Sequence, residues 1–125
     1  MAKRILVAED EPNIVESLTF LLERAGFSVS VKTDGHQTLA AALQDTPDVL
    51  ILDVMLPGID GYEILRRLRA DERRERLAVL MLTAKGQREN REIARECGAD
   101  LFMTKPFANS EIVSAVERLA NGRRD

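Results

Sequence analysis

Residues 49–61 read Val-Leu-Ile-Leu-Asp-Val-Met-Leu-Pro-Gly-Ile-Asp-Gly. The first four are consecutive large apolar residues, as in a strand buried on both faces of a parallel sheet. Asp53 follows directly, and Pro57-Gly58 is typical of a turn with a positive φ at the glycine. Asp60 is placed to cap a helix that begins near Gly61. This segment therefore predicts a buried strand, an acidic residue at its carboxyl end, a tight turn and a helix.

The same alternation of strand and helix patterns extends along the chain in both directions. Short apolar runs predict five strands, at Ile5–Ala8, Val29–Val31, Val49–Leu52, Ala78–Leu82 and Leu101–Met103. A stripe of apolar residues with helical spacing follows each of them. Gly26 and Gly98 are predicted to end two of these helices, and Asn109 or Ser110 to cap the last. Five strand–helix pairs in succession predict an α/β domain with helices on both faces of a parallel sheet.

The composition of each strand predicts its place in that sheet. The first, third and fourth strands are apolar on both faces, so they are predicted to be central. Residues 28–32, Ser-Val-Ser-Val-Lys, alternate strictly, as in a strand with one solvated face. The fifth strand is short and less uniform. The strand order 2-1-3-4-5 follows, and right-handed crossover connections permit it.

Length and charge limit the classes of function that the chain can have. It has 125 residues, one domain's worth, with 18 Lys+Arg against 21 Asp+Glu, a net charge of −3. That balance disfavours direct binding of nucleic acid. No apolar run approaches the ~20 residues of a membrane span, and the single cysteine, Cys97, cannot form an internal disulfide. We expect a cytoplasmic domain over residues 1–121, followed at residues 122–125 by a C-terminal tail or the stump of a linker.

Polar side chains stand at the carboxyl ends of four predicted strands. These residues are Glu9 and Asp10 after the first strand, Asp53 after the third, Thr83 after the fourth and Lys105 after the fifth. All these strand ends meet at one rim of a parallel sheet, and open α/β sheets bind ligands there, where the strand order reverses. In the order 2-1-3-4-5 the reversal lies between the first and third strands, which carry the three carboxylates.

The chemistry of this set points to phosphoryl transfer. Three converging carboxylates repel one another, and Mg²⁺ relieves the repulsion because it prefers oxygen ligands and keeps positions open for phosphate. Lys105 adds a positive charge suited to phosphate, and Thr83 adds a hydroxyl group. An acidic nucleophile, Mg²⁺, a lysine and a hydroxyl are the parts needed to move a phosphoryl group onto Asp53.

Four motifs carry a resemblance to a known family. They are Ala8-Glu9-Asp10-Glu11-Pro12, the segment from Leu52 to Gly61, Leu82-Thr83-Ala84 and Thr104-Lys105-Pro106-Phe107. With these motifs, essentially the whole chain resembles the response regulator receiver domain, the phosphorylatable half of bacterial two-component systems. The resemblance implies a single (βα)5 flavodoxin-like doubly wound domain, in agreement with the strand patterns.

The resemblance also assigns the acidic residues. Asp53 is implied to accept a phosphoryl group from the histidine of a sensor kinase or of a phosphotransfer protein. Asp10, Asp53 and the backbone carbonyl of Met55 are implied to bind Mg²⁺, with Mn²⁺ as an alternative ion. Family members often carry aspartate at the position of Glu9, and Glu9 is implied to reach the metal mainly through a water.

The remaining implied roles concern the switch. Lys105 is expected to pair with the phosphoryl oxygens, and the Lys105–Pro106 peptide bond is expected to be cis. Thr83 is expected to donate a hydrogen bond to the phosphoryl group, while Phe102 rotates into the space that it vacates. The surface formed by the fourth helix, fifth strand and fifth helix would then change shape and bind a downstream protein, an attached effector or a second copy of the chain.

Several alternatives stay open at this level. The chain could be a phosphorelay shuttle or the receiver of a longer transcription regulator. A phosphatase of the haloacid dehalogenase type is less favoured, because that class needs a second aspartate where Met55 stands, and we expect no enzyme beyond self-assisted phosphorylation. A receiver-like domain that signals without phosphate usually lacks the acidic residues kept here. Because neither Met55 nor Lys85 offers an amide or carboxylate to orient water, we expect slow self-dephosphorylation.

Overall fold

The computed structural model describes residues 2–84 and 88–122, and for residues 88–90 it describes the backbone alone. Strands and helices alternate throughout the described chain. The strands are β1 (Arg4–Ala8), β2 (Ser28–Lys32), β3 (Val49–Asp53), β4 (Ala78–Thr83) and β5 (Leu101–Thr104). The helices are α1 (Pro12–Arg24), α2 (Gly35–Gln44), α3 (Gly61–Ala70), α4 (Arg88–Cys97) and α5 (Asn109–Ala120).

The sheet has five parallel strands in the order β2-β1-β3-β4-β5, so the predicted fold class and strand order are confirmed. All residues of β3 and β4 are buried, as are the last four residues of β1. The strands β2 and β5 are half-buried or exposed along their length. Continuous apolar strands lie inside the sheet because helices cover both of their faces, whereas an edge strand keeps contact with water.

Two apolar cores lie on opposite faces of this sheet. One core joins side chains of the three central strands to α2, α3 and α4, with Leu50, Leu52 and Ile64 fully buried. The other joins the opposite side of the strands to α1 and α5, with Ile51, Leu18 and Val116 fully buried. The two-residue period of a strand sends alternate side chains to opposite faces, so one run of apolar residues serves both cores.

The helix boundaries follow local chemistry at most ends. Gly26 and Gly98 have φ angles of 98° and 101°, the left-handed conformation predicted for residues that end α1 and α4. The Asp60 side chain caps α3 by accepting a hydrogen bond from the Glu63 N–H at 2.9 Å. The prediction for α5 was wrong, because neither Asn109 nor Ser110 caps it. The cap is Ala108, whose carbonyl already accepts the first hydrogen bonds of the helix.

None of the described helices has both the length and the apolar character that crossing a bilayer requires.

Candidate functional site

The predicted polar residues meet at the carboxyl rim of the sheet, where the central strands hold them. Glu9 directly follows β1, and its N–H donates to the Lys32 carbonyl at the end of β2. Asp53 is the last residue of β3, and Thr83 is the last residue of β4. The N–H of Lys105 donates to the Thr83 carbonyl at 2.8 Å, which keeps the end of β5 beside β4.

Three carboxylates lie at the centre of this site. One oxygen each from Glu9, Asp10 and Asp53 lies within 4.8 Å of the others. Glu9 and Asp53 are buried, with 0% and 3% of their surface exposed, while Asp10 is open to solvent. The N–H of Glu11 donates to the Glu9 carboxylate at 3.1 Å, and the N–H of Met55 donates to Asp53 at 3.3 Å. The site therefore offers several carboxylate oxygens to a cation that approaches from the Asp10 side.

Lys105 supplies the positive charge of the site. Its Nζ lies 2.8 Å from Oε1 of Glu9 and 3.4 Å from Oδ1 of Asp53. Burial lowers the pKa of the Lys105 ammonium, but the neighbouring carboxylates of Glu9 and Asp53 outweigh it, so the net shift is upward. Lys105 is therefore held in its charged form between two acidic groups.

The negative charge of the buried Glu9 carboxylate is only partly compensated by Lys105. Burial raises the pKa of the Glu9 carboxyl, and the nearby Asp53 charge raises it further, against the opposing effect of the Lys105 ammonium. Among the described residues, Oε1 of Glu9 is buried and has Lys105 as its ion-pair partner at 2.8 Å, with no other donor on it. A buried carboxylate oxygen with so few donors around it is a suitable ligand for an added cation or a bound water.

The donor set fits Mg²⁺ well. Carboxylate oxygens at a rim that is partly open to solvent leave room for the several waters that this ion keeps. The N–H of Met55 donates to the Asp53 carboxylate at 3.3 Å, so the main chain of Met55 lies at the same site. Of the residues that the structure describes, neither a histidine nor a cysteine joins this cluster, which suits a hard cation.

The predicted switch residues lie on the two strands beyond β3, Thr83 on β4 and Phe102 on β5. Thr83 is 2% exposed at the end of β4. Phe102 is half-buried on β5, and the Lys105–Pro106 peptide bond is cis. Lys85 lies outside the described residues. The sequence reasoning missed Arg91 of α4, whose guanidinium carbon lies 5.1 Å from the centre of the Phe102 ring. An arginine eleven residues before an aromatic residue carries no local signal of such a contact.

Comparison with known proteins gives a consistent result. Residues 5–117 match the family of response regulator receiver domains. The alkaline phosphatase synthesis transcriptional regulatory protein PhoP of Bacillus subtilis is 41% identical over 119 residues, which cover 95% of this chain and 49% of PhoP. The chain spans about half the length of the curated relatives that it matches.

Solved structures agree with the sequence match. The chemotaxis response regulator CheY4 of Vibrio cholerae superposes with a TM-score of 0.89 at 27% identity, covering 95% of this chain and 99% of CheY4. The receiver domain of the sensor histidine kinase PA1611 from Pseudomonas aeruginosa has a TM-score of 0.90 at 29% identity, covering 98% and 100%. That structure has a magnesium ion coordinated in its active-site cleft.

Fold, site and comparisons together define a class of signalling domain. The chain belongs to the response regulator receiver domain family. It is a receiver domain of the two-component kind, in which a sensor kinase signals to a response regulator. The resemblance drawn from the four sequence motifs is thereby confirmed at the level of the family.

Proposed function

We propose that this domain accepts a phosphoryl group on Asp53 from the phosphohistidine of a sensor kinase or of a phosphotransfer protein. The observation that carries this proposal is the contact of Lys105 with Asp53 beside two further carboxylates, Glu9 and Asp10. A positive charge at the nucleophile and a cation site next to it are what transfer to a carboxylate requires. The acceptor then works in the cytoplasm, as we expected from the sequence.

The transfer involves one bond formed, one bond broken and a metal ion held beside the acceptor. One Asp53 oxygen forms a bond to phosphorus while the bond from phosphorus to the histidine nitrogen breaks, and the histidine leaves with that electron pair. Asp10, Asp53 and the Met55 carbonyl would hold Mg²⁺, and Glu9 would hold it through a water. When bound, the ion neutralises charge on the phosphoryl oxygens. Mn²⁺ suits the same oxygen ligands and is the alternative.

Lys105 and Thr83 would stabilise the product. The Lys105 ammonium, which lies 3.4 Å from Asp53, would shift from Glu9 towards the new phosphoryl oxygens. The Thr83 hydroxyl would donate a further hydrogen bond to them. An aspartyl phosphate carries about one more negative charge than the carboxylate it replaces, so both contacts strengthen after transfer.

The switch would end on the surface that comprises α4, β5 and α5. Phe102 borders two shallow grooves of this surface, about 250 Å³ on the α4 side and about 270 Å³ on the α5 side. Of residues 91–97 of α4, Ala94 and Cys97 are the buried ones, so few apolar side chains of this part of the helix pack into the core. Rotation of Phe102 would change both grooves and hence the fit of a downstream protein, an attached effector or a second copy.

The proposal is tested with a chemical phosphate donor. We expect wild-type protein incubated with acetyl phosphate and Mg²⁺ to gain one phosphoryl group in intact-mass spectra, and Asp53→Asn to gain none. Asp60→Asn is the matched control, because an asparagine still caps α3. A full mass gain in Asp53→Asn, or one that a chelator leaves unchanged, would contradict the proposal.

The remaining candidates differ in what they predict. A phosphatase of the haloacid dehalogenase type would turn over phosphate esters continuously, whereas a receiver of this kind would hold the group and lose it only slowly. PhoP is named as a transcriptional regulatory protein, and this chain matches about half of it, which favours the receiver of a longer transcription regulator over a phosphorelay shuttle. The leading form of the proposed function is therefore a receiver that dimerises on phosphorylation and thereby controls an attached effector.

A further inference from the structure

The loop that follows Asp53 is held in place from outside by the first turn of α2. The Gly35 N–H donates to the Pro57 carbonyl at 2.9 Å. Gly35 is itself buried, and a Cβ atom added to it would overlap the carbonyl oxygen of Ile59. No side chain other than hydrogen fits at position 35 unless this loop moves away from α2.

Both partners in this contact are rigid. On the α2 side, the Asp34 side chain accepts a hydrogen bond from the Gln37 N–H at 2.8 Å, and the fully buried Thr38 donates its hydroxyl to the Asp34 carbonyl at 2.8 Å. On the loop side, Leu56 and Ile59 are buried in the core under α2 and α3. Because both sides are held by these contacts, a displacement at Gly35 would move the loop.

The other end of the loop is closed as well. The Gly61 N–H donates to the Val54 carbonyl at 2.8 Å, and the Val54 N–H donates to the Leu82 carbonyl of β4 at 2.9 Å. Met55 lies between these fixed points and has its side chain in solvent. Its main chain is thus positioned by its neighbours in the loop, since its own side chain makes little contact with the protein.

We infer that Gly35 is a positioning residue for Mg²⁺ binding, acting through the loop that carries the Met55 carbonyl. This inference rests on the proposed function, in which that carbonyl is a ligand. Mg²⁺ demands near-ideal octahedral geometry, so a small movement of one rigid ligand weakens the whole site. Residues that orient a metal ligand commonly change affinity by about 10–100-fold when substituted.

The test is the Mg²⁺ affinity of unphosphorylated Gly35→Ala, measured by isothermal titration calorimetry. We expect its dissociation constant to rise about tenfold or more over wild type. Gly26→Ala is the matched control, because it strains a glycine with a φ of 98° at the end of α1 where an added Cβ touches nothing. It should lower stability and leave Mg²⁺ affinity unchanged.

The outcomes are distinguishable. If wild type binds Mg²⁺ and Gly35→Ala binds it equally well, the inference is overturned while the proposed function stands. If wild type binds none, the proposed function fails and the inference fails with it. Should Gly35→Ala not fold, Ile59→Val tests the same loop against Ile64→Val, which lies in the same core but outside the loop. Equal Mg²⁺ affinities in that pair would likewise overturn the inference.

Discussion

At the scale of single residues, Lys105 acts as the counter-ion of the acidic cluster. It lies 2.8 Å from Glu9 and 3.4 Å from Asp53, the two buried carboxylates of a site that opens to solvent at Asp10. Its charge offsets the repulsion between the carboxylates, so it competes with any cation for the same oxygens. The same side chain can therefore serve two states of the domain, first as a partner of Glu9 and later as a partner of the phosphoryl group.

Lys105→Met tests this role. Removing one partner of a mostly buried ion pair should lower the free energy of unfolding without metal by about 2 kcal/mol or more. Added Mg²⁺ should stabilise this variant more than it stabilises wild type, because no ammonium competes for the carboxylates. Urea unfolding followed by circular dichroism, with and without Mg²⁺, measures both effects. Equal stabilisation by Mg²⁺ in the two proteins would count against the competition.

Met55 is expected to affect how long Asp53 stays phosphorylated. Its exposed thioether cannot hold an attacking water near Asp53, so the phosphorylated domain should be long-lived. Met55→Asn, which adds an amide, should speed loss of the phosphoryl group about tenfold, a barrier change of about 1.4 kcal/mol. Met55→Leu should leave the rate unchanged. The decay is followed by intact-mass spectra, and a half-life of seconds in wild type would contradict the expectation.

At the scale of elements, Arg69 joins α3 to the start of β4 and to the end of α4. Its guanidinium donates to the carbonyls of Leu77 at 2.7 Å and Gly98 at 2.9 Å, and to the Asp100 carboxylate at 3.1 Å. That carboxylate also accepts the Val79 N–H at 2.8 Å. The carboxyl end of α4 is thus firmly anchored, at the side of the sheet opposite the acidic cluster.

Arg69→Ala should therefore lower the free energy of unfolding far more than other arginine substitutions in α3 do. It leaves several partly buried acceptors without a donor, so we expect the free energy of unfolding to fall by about 2–4 kcal/mol. Arg67→Ala is the control, because Arg67 pairs with Glu63 in solvent and such pairs are worth under about 1 kcal/mol. Urea unfolding measures both, and similar losses in the two variants would argue against the anchor.

In the turn after α3, the contribution of Asp71 to stability should depend on pH. Hydrogen bonds from the Arg73 side chain and N–H lower the pKa of Asp71 to about 2, from an ordinary value of 3.8. Since the folded pKa is depressed, this contribution to stability is complete above pH 3.8 and is lost as the pH falls to about 2. Asp71→Asn should be less stable than wild type at pH 6 and converge with it near pH 2. Thermal unfolding across that range measures the difference, and a constant gap would contradict it.

At the scale of the whole molecule, the question is how a phosphoryl group on Asp53 would act on the surface that comprises α4, β5 and α5. Asp53 ends β3 and Phe102 lies on β5, with β4 and its last residue Thr83 between them. Arg91 ties the Phe102 ring to α4. Movement of that ring would release or reposition the amino-terminal half of α4 while Arg69 holds its carboxyl end. The domain would then behave as a two-state element biased from its rim.

Beryllofluoride, which mimics the phosphoryl group, tests the whole-molecule response. With Mg²⁺ present we expect NMR shifts of backbone amides to concentrate in α4, β5 and α5, along with a change in the Phe102 ring signals. Asp53→Asn should show neither effect. If Phe102 keeps one rotamer with and without the mimic, the aromatic part of the switch is wrong even if the surface changes.

The fold could be predicted from the sequence almost completely, because its signals are local. Apolar runs such as residues 49–52 and the alternation at residues 28–32 reveal burial on two faces or one, and this sets the strand order. Glycines at helix ends and Asp60 at the start of α3 act within a few residues of themselves. Chain geometry then brings the ends of all parallel strands to one rim.

Only the tertiary structure decided how the side chains at that rim and beneath it pair. Lys105 forms ion pairs with Glu9 and Asp53, and Arg91 stacks on the Phe102 ring. The Gly35 N–H donates a hydrogen bond to the loop after Asp53. Each contact joins residues far apart in the chain, and its geometry depends on rotamers and on packing between whole elements. The sequence by itself determined which groups gather at the site, because strand periodicity is local. Their distances and charge partners arise only when the helices dock, because those contacts have no local signal.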